Sequence, residues 1–441
     1  MSPPPSWASR LVPWLQAQAR PTLRKVVANS IWLMADRLVR LLVGLVVGVW
    51  VARHLGPAQY GEFAYVLAFV SFFQVASALG LDSLVVRDIA KNPADARTIL
   101  ATAFGLRLIG GLFCWLAAVL GFAWANPADR ALVWAMALAA SAVVFQAFDT
   151  VDLWFQAQSQ NRRTVAAKFS ALFVSATVKV GLIVGNAPLA AFVAVIGLEA
   201  LVSALGLTVA YRMLPASGMG HAQRSYATHL VKEAWPYLLS GLLIMVYMRM
   251  DQIMIRTMAG QAELGRYAVA LQLSQVWHAV PVALAASLAP FLFKQKLRGE
   301  AAYEAALLTM FRVFGGLGLA CAALTALLAY PLVRALYGPA FENAAPVLAI
   351  HAFSNVFVFL GVAQSLWIVA ESKGSLALAR TFAGAVVAVA LNLLLIPRLG
   401  AAGAAISAVA SYAVAAVISN LFLAPRILTM QFGISPKAPR R

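Results

Sequence analysis

Long apolar stretches separated by short polar connections dominate the chain. A helix needs about 20 mostly apolar residues to cross the ~30 Å hydrocarbon core of a bilayer. By this criterion the pattern predicts twelve membrane-spanning helices. Six lie in each half of the chain, over 27–52, 62–86, 98–124, 131–156, 168–186 and 188–211, and then over 234–258, 266–292, 304–329, 344–370, 375–396 and 401–424.

These segments predict an all-α polytopic membrane protein with little chain left for a soluble domain. The first apolar stretch is too long and too charged for the core of a cleaved signal peptide, so we expect it to remain as the first helix. The expected organisation is a cytoplasmic tail, a six-helix bundle, a cytoplasmic linker, a second six-helix bundle and a basic cytoplasmic tail, over 1–26, 27–211, 212–233, 234–424 and 425–441.

Composition supports the membrane assignment, and charge adds an orientation. The chain is 62% hydrophobic and only 11% charged, against roughly 25% charged residues in soluble domains. Its net charge of +18 could suggest nucleic-acid binding, but the basic residues lie mostly in connections on the side that holds both termini. Cytoplasmic loops carry such an excess of Lys and Arg. We therefore expect a multi-pass protein of the bacterial inner membrane with both termini in the cytoplasm.

Short motifs recur between the two halves at a nearly constant offset of 203 to 205 residues. Arg53 and Arg256 each end the first helix of a half, and Gly-Glu-Phe-Ala at 61–64 matches Gly-Arg-Tyr-Ala at 265–268. An even number of helices per half makes both halves enter the membrane from the same side. The sequence therefore predicts a parallel repeat, with two bundles around a central cavity.

Charges inside the first predicted helix point to that cavity. Asp36, Arg37 and Arg40 share one helix face, which Gly44 and Gly48 continue. A charge at the centre of a membrane helix costs about 2.5–3.5 kcal/mol, so it requires a partner or water. The three charges either line a cationic cavity wall or extend their side chains to the cytoplasmic headgroups.

The seventh predicted helix carries a second charged group. Arg249, Gln252 and Arg256 share one face, whereas Asp251 points to another neighbour. Arg249 lies too deep to reach the headgroups easily, while Arg53 and Arg256 could instead anchor helix ends. Cavity arginines suit an anionic cargo, because guanidinium groups bind phosphate in a bidentate manner. Position and helix face therefore make Asp36, Arg37, Arg40, Arg249 and Arg256 candidates for the cavity wall.

Four further charges are candidates for ion coupling. Lys179 and Glu199, in the fifth and sixth predicted helices, could form a pair. Asp149 and Asp152 lie one turn apart and could hold a coupling H⁺ or Na⁺, or could simply be satisfied helix-end carboxylates. We expect no other cofactor and no metal site. No P-loop and no H-E-x-x-H motif is present, and no outer connection exceeds about 15 residues, so the sequence favours a transporter over an enzyme.

Several segments resemble a known family. VARHLGPAQYGEFAYVLAF (51–69), LGLDSLVVRDIAK (79–91) and WPYLLSGLLIMVYMRMDQIMI (235–255) are similar to polysaccharide exporters of the O-antigen flippase type. So are GRYAVALQLSQVWHAVPVALAASLAP (265–290), LYGPAFENAAPVLAI (336–350) and PRLGAAGAAISAVASYA (397–413). This family lies within the multidrug/oligosaccharidyl-lipid/polysaccharide exporter superfamily.

The resemblance implies alternating access, with charged side chains in a central cavity. It implies a substrate-binding role for the charged residues in or beside the matching segments, which are Asp36, Arg37, Arg40, Arg53, Arg249, Asp251 and Arg256. The implied cargo is an undecaprenyl-diphosphate-linked oligosaccharide, moved from the cytoplasmic to the periplasmic leaflet for O-antigen or exopolysaccharide assembly. A polysaccharide polymerase and glycosyltransferases are the implied protein partners. Two alternatives stay open within the superfamily, a peptidoglycan-precursor flippase and a drug exporter. A membrane glycan polymerase or ligase is a third.

Overall fold

The computed structural model describes residues 21–434 apart from 128, 159, 214–217 and 219, with side chains from 39 onward except that of 161. These residues form helices and no strand, which confirms the predicted all-α fold. The α-helices are α1 Pro21–Ala78, α2 Asp82–Lys91, α3 Ala96–Ala125, α4 Arg130–Phe145, α5 Asp149–Ala157, α6 Asn161–Val184, α7 Leu189–Arg212, α8 Arg224–Met258, α9 Gln261–Gln275, α10 Ala279–Arg298, α11 Glu300–Leu327, α12 Ala329–Tyr337, α13 Ala344–His351, α14 Ser354–Ala370, α15 Gly374–Ala413, α16 Asn420–Leu423 and α17 Pro425–Gln431.

Short irregular turns interrupt or join several of these helices. One π-helical turn, Val414–Ile418, follows α15, and the 3₁₀ turns are Pro93–Asp95, Gln146–Phe148, Val276–His278 and Pro339–Phe341. The turn at Gln146–Phe148 divides one predicted span into α4 and α5, and the turn at Val276–His278 divides another into α9 and α10.

Ten candidate membrane spans occur in the described part of the chain, and two of them are long enough for two crossings. Val39–Lys91 contains 53 residues and Gly374–Leu423 contains 50. Each bends at a glycine with positive φ, Gly56 (70°) in the first and Gly400 (55°) in the second. Residues with a β carbon rarely adopt this conformation. Each bend falls between two predicted helices, so the structure is compatible with twelve crossings.

The internal repeat has a backbone counterpart. Gly56 has φ 70° and ψ 174°, and Gly260 has φ 95° and ψ 175°. The two glycines are 204 residues apart, and each joins the first helix of its half to the second. The same conformation at equivalent positions supports an internal duplication.

Helices α1–α7 form an N lobe and α8–α17 a C lobe, and the lobes meet where α1 packs against α8 and α9. The backbones of α1 and α9 cross at Gly61 and Gly265. A β carbon on Gly61 would clash with the carbonyl oxygen of Gln261, and one on Gly265 would clash with that of Pro57. We call this crossing the closed seam. A hydrophobic core containing residues of both lobes surrounds it.

The two lobes also touch at the start of α8. This helix begins at Arg224, within the segment predicted as a linker, because its first turns pack against α2. The Arg87 guanidinium donates to the Glu233 carboxylate at 2.8 Å, and the Tyr226 hydroxyl donates to Asp88 at 2.7 Å. The start of α8 is therefore docked on the N lobe.

Large apolar side chains cover much of the outer surface. Phe113, Trp124, Trp134 and Phe422 are between 73% and 87% exposed. Such exposure is unfavourable in water, whereas lipid tails solvate these side chains. The outer surface is thus suited to a bilayer, as the sequence predicts.

Candidate functional site: a charged cavity between the lobes

A cavity of about 740 Å³ lies between the two lobes. Its walls come from α1, α4 to α7, α8 and α9. On α1 the lining positions Tyr60, Ala64, Leu67, Ser71 and Gln74 recur every three or four residues, which places them on one helix face. This stretch is about 21 Å long at 1.5 Å per residue. Because Tyr60 adjoins Gly61, the closed seam seals one end of the cavity.

Most of the charged cavity residues belong to the N lobe. Lys168 lies 2.6 Å from the Asp152 carboxylate and 3.7 Å from that of Asp149. Lys179 lies 3.7 Å from Glu199, whose carboxylate also accepts a 2.6 Å hydrogen bond from Ser175. The predicted Lys179–Glu199 pair is present, and Lys168 neutralises part of the Asp149 and Asp152 charge. The N-lobe charges that line the cavity are Arg40, Asp149, Lys168, Lys179 and Glu199.

Arg249 is the charged cavity residue that the described C lobe contributes. It lies in the last third of α8 and also lines a side pocket of about 390 Å³ between α1 and α8. Among side chains that the structure describes, it makes no hydrogen bond or ion pair. A membrane-embedded guanidinium in such a place requires water or an anionic ligand. Arg249 is therefore suited to binding an anion at the lobe interface.

The other predicted substrate-binding residues are not brought together in this cavity. Asp36 and Arg37 lie outside the side chains that the structure describes. Arg53 is exposed and donates a 2.7 Å hydrogen bond to the carbonyl oxygen of Ala335. Neither Arg53, Asp251 nor Arg256 lines the described cavity wall. Of the seven, Arg40 and Arg249 are the two whose described side chains do so.

Arg256 instead joins the two lobes at the closed seam. Its Nε donates to the Glu62 carboxylate at 2.6 Å, and Gln261 donates to the same oxygen. The Glu62 side chain is only 6% exposed, and the guanidinium lies 5.5 Å from the centre of the Tyr65 ring. The pair connects α1 with α8, so we call it the seam ion pair. It stabilises the closed arrangement of this end.

Asp251 lies in a buried polar cluster inside the C lobe. Its carboxylate accepts a hydrogen bond from the Tyr267 hydroxyl, and a small cavity beside it is also lined by His351 and Asn392. The side-chain oxygen of Asn392 is buried and has no hydrogen-bond partner among the described residues. The cluster therefore contains two kinds of oxygen acceptor, the Asp251 carboxylate and the Asn392 amide oxygen, and the second has no hydrogen-bond donor among the described residues.

Sequence reasoning missed Lys168, Glu62 and the cavity glutamines other than Gln252, which it placed on the same face as Arg249. Lys168 stands at the first position of the fifth predicted helix, 168–186, whereas the structure places it well inside α6, which begins seven residues earlier. Glu62 stands at the predicted start of a helix, where a carboxylate is favourable on local grounds alone. Its distance from Arg256 in the chain is 194 residues, so only the repeat, which aligns both segments at the same end, could have suggested the pair.

Two helical lobes around a charged central cavity have the architecture of a membrane transporter. The sequence matches the family model described as polysaccharide biosynthesis protein over residues 26–296, which is more than half of the chain. The chain therefore belongs to this family. A search of curated proteins finds no significant match.

Solved structures show the same fold at low identity. An inward-facing multidrug resistance MATE family transporter of the MOP superfamily is 16% identical, with a TM-score of 0.72 over 89% of this chain and 96% of that one. The lipid II flippase MurJ, in an inward closed conformation, is 12% identical, with a TM-score of 0.66 over 92% of this chain and 90% of that one. A MOP superfamily transporter from Pyrococcus furiosus is 15% identical, with a TM-score of 0.61 over 92% and 96% of the two chains. The chain has the fold of the exporters and flippases of this superfamily.

Proposed function

We propose that the protein is a flippase for undecaprenyl-diphosphate-linked oligosaccharides. It would move them from the cytoplasmic to the periplasmic leaflet of the inner membrane by alternating access, for O-antigen or exopolysaccharide assembly. The observation that carries this proposal is Arg249, a cavity guanidinium that makes no hydrogen bond or close ion pair among the described side chains and interacts with the Asp251 carboxylate only at longer range. Membership of the polysaccharide biosynthesis family supports a glycan cargo.

The electrostatics of the cavity favour an anionic cargo. Its described lining contains four cationic side chains, Arg40, Lys168, Lys179 and Arg249, against the two carboxylates of Asp149 and Glu199. A diphosphate entering bare hydrocarbon would lose its hydration, which costs on the order of 20 kcal/mol per ion in the idealised limit. A watered, cationic path lowers that barrier. A drug exporter that binds organic cations would instead favour a cavity with more carboxylates than cationic side chains.

The proposal can be tested in cells that lack their own oligosaccharide flippase. Expression of the protein should restore surface glycan, and Arg249→Met should abolish the restoration at equal protein level, whereas Arg249→Lys should retain part of it. Arg130→Met changes an exposed arginine at the start of α4 and serves as the matched control. Rescue of growth in a strain depleted of its lipid II flippase, without glycan rescue, would instead support a peptidoglycan-precursor flippase.

We further propose that transport is coupled to H⁺ or Na⁺. Asp149, Asp152 and Glu199 each have a lysine nearby, and the buried Asp251 carboxylate, which accepts a hydrogen bond from Tyr267, is an additional candidate for holding the ion. Asp251→Asn should then remove the response of the transport rate to an imposed ion gradient. A variant that keeps the full gradient response would eliminate Asp251 from this role.

A further inference from the structure

We propose that the glutamine side chains of the cavity form a recognition subsite for the uncharged, hydroxyl-rich saccharide of the cargo. This subsite consists of neutral amides and adjoins Arg249, which the proposed function assigns to the diphosphate, and the inference rests on that function. Its members are Gln74 on α1, Gln252 on α8, and Gln272 and Gln275 on α9.

The two kinds of polar residue occupy different walls. The lysines and carboxylates of the described cavity lie on α5, α6 and α7, all in the N lobe. The polar residues that α8 and α9 contribute are Arg249 and three of the four glutamines. A ligand that fills the cavity would therefore meet charges on one wall and mainly neutral amides on the other.

One of these amides is fixed in place. The Oε1 atom of Gln272 accepts hydrogen bonds from the hydroxyls of Tyr60 at 2.9 Å and Tyr337 at 3.2 Å. Its Nε2 donates to the Gly44 carbonyl oxygen at 3.3 Å, and a β carbon at Gly48 would clash with the same nitrogen. The two tyrosines and the Gly44 carbonyl thus hold the Gln272 amide against the part of α1 that precedes Gly56, close to the sealed end of the cavity.

The other three amides have unused hydrogen-bonding capacity. Gln252 is 2% exposed, and its Nε2 has no partner among the described residues. Neither Gln74 nor Gln275 makes a side-chain hydrogen bond within the part of the chain that the structure describes. Both of these are half-buried in the cavity wall. A buried polar group without a partner is unfavourable, so water or a ligand must satisfy the Gln252 amide, while the amides of Gln74 and Gln275 remain available to a ligand in the cavity.

Amides and aromatic rings are suited to a saccharide. A glutamine side chain offers two donor hydrogens and an acceptor oxygen, so it can pair with a hydroxyl in either orientation. Tyr60 and Phe63, which also line the cavity, add apolar surface for the C–H faces of a sugar ring. The volume of about 740 Å³ falls in the range of roughly 300–1,000 Å³ typical of small-molecule sites. An amide NH2 group can also donate to a phosphate oxygen, so binding of lipid probes with and without the saccharide must distinguish the two ligands.

The test measures binding of two probes to the full-length protein in lipid nanodiscs. One probe is a short-chain polyprenyl diphosphate, and the other is the same lipid carrying a neutral oligosaccharide. The wild type should bind the glycosylated probe more tightly than the bare one. Gln275→Met and Gln252→Met should each weaken binding of the glycosylated probe about five-fold, which is the effect of losing one hydrogen bond. Binding of the bare probe should stay unchanged. Gln59→Met, at an exposed position outside the cavity, should alter neither.

The outcomes separate this inference from the proposed function. Unchanged bare-probe binding also shows that each variant is folded. Suppose that the wild type binds both probes, and that the glutamine variants bind both as the wild type does or bind both equally more weakly. The amides are then satisfied by water or act only structurally. The subsite is refuted in that case, while the flippase proposal stands. If the wild type binds neither probe, the proposed function itself fails.

Discussion

The seam ion pair gives the sharpest mechanical prediction. Replacing Arg256 by Met leaves the Glu62 carboxylate in a nearly closed environment, with Gln261 as its remaining hydrogen-bond donor among the described residues. The pair connects α1 to α8, so the loss should act on the contact between the lobes. We therefore expect the variant to open the seam more often than the wild type.

The size of the effect follows from the burial of the pair. Removing one partner of a fully buried ion pair destabilises by about 3–5 kcal/mol. Arg256 is 25% exposed and Glu62 keeps one donor, so we expect about 2 kcal/mol against the closed seam. A difference of about 2 kcal/mol changes the ratio of closed to open states roughly 30-fold.

Cysteine accessibility can measure this shift. Val51 lines the cavity and is 2% exposed, so Val51→Cys would report opening of the sealed end. With Cys114 and Cys321 replaced by Ser, a membrane-impermeant maleimide is added on the side that the charge pattern predicts to be periplasmic. Labelling should be faster with Arg256→Met than with Arg256 intact.

Arg266 provides the matched control for this experiment. It pairs with Glu263 within α9, so Arg266→Met breaks an ion pair that does not join the lobes. Equal labelling rates for the Arg256→Met and wild-type backgrounds would refute the reasoning. So would the same acceleration in the Arg266→Met control.

Three further predictions concern packing and charge. Lys168→Met removes the cation beside two carboxylates and should lower the free energy of unfolding by about 2–3 kcal/mol, whereas Lys168→Arg should restore most of the melting temperature. Gly265→Val should reduce transport at normal expression, because a β carbon at this position clashes with the Pro57 carbonyl oxygen at the closed seam. Gly316→Val should not, because a β carbon there meets open space, and equal transport by the two variants would contradict the close approach of α1 and α9. The hydrogen bond from Lys296 lowers the pKa of the Glu371 carboxyl in the folded protein. The ion pair therefore stabilises the fold above the pKa that Glu371 has in the unfolded chain, and this stabilisation is lost as the pH falls through the lower pKa of the folded state. Glu371→Gln should therefore lower the free energy of unfolding by about 0.5 kcal/mol at neutral pH. The melting temperature should fall accordingly, and this difference from the wild type should vanish in acid.

The fold was accessible from the sequence because the bilayer imposes a simple length rule. Apolar stretches of about 20 residues and the offset near 204 residues indicated the helices and the duplication, and Gly56 and Gly260 show that duplication in the backbone. The break inside α1 was accessible as well, because Gly56, whose backbone is not helical, lies in the polar segment between the predicted helices at 27–52 and 62–86. Hydropathy gives no bend angle, so the relative direction of these two helices was not accessible.

The candidate site was only partly accessible. Depth in a helix identified Arg249, because a central charge is costly wherever it stands. Helical periodicity could not separate Arg249 from Arg256 on the same face, since the distinction depends on Glu62 across the seam. The glutamines carry no charge and give no hydropathy signal strong enough to single them out. Their role depends on which helices surround the cavity.

Direct measurement of lipid translocation tests the central claim. Purified protein is reconstituted into liposomes that contain a fluorescent polyprenyl-diphosphate oligosaccharide, and an impermeant quencher reports the fraction in each leaflet. The wild type should move the lipid between leaflets, and Arg249→Met should slow the movement about 10- to 100-fold, the loss of one charge-assisted contact of about 1.5–3 kcal/mol. No movement by the wild type, or an unchanged rate with Arg249→Met, would contradict the account.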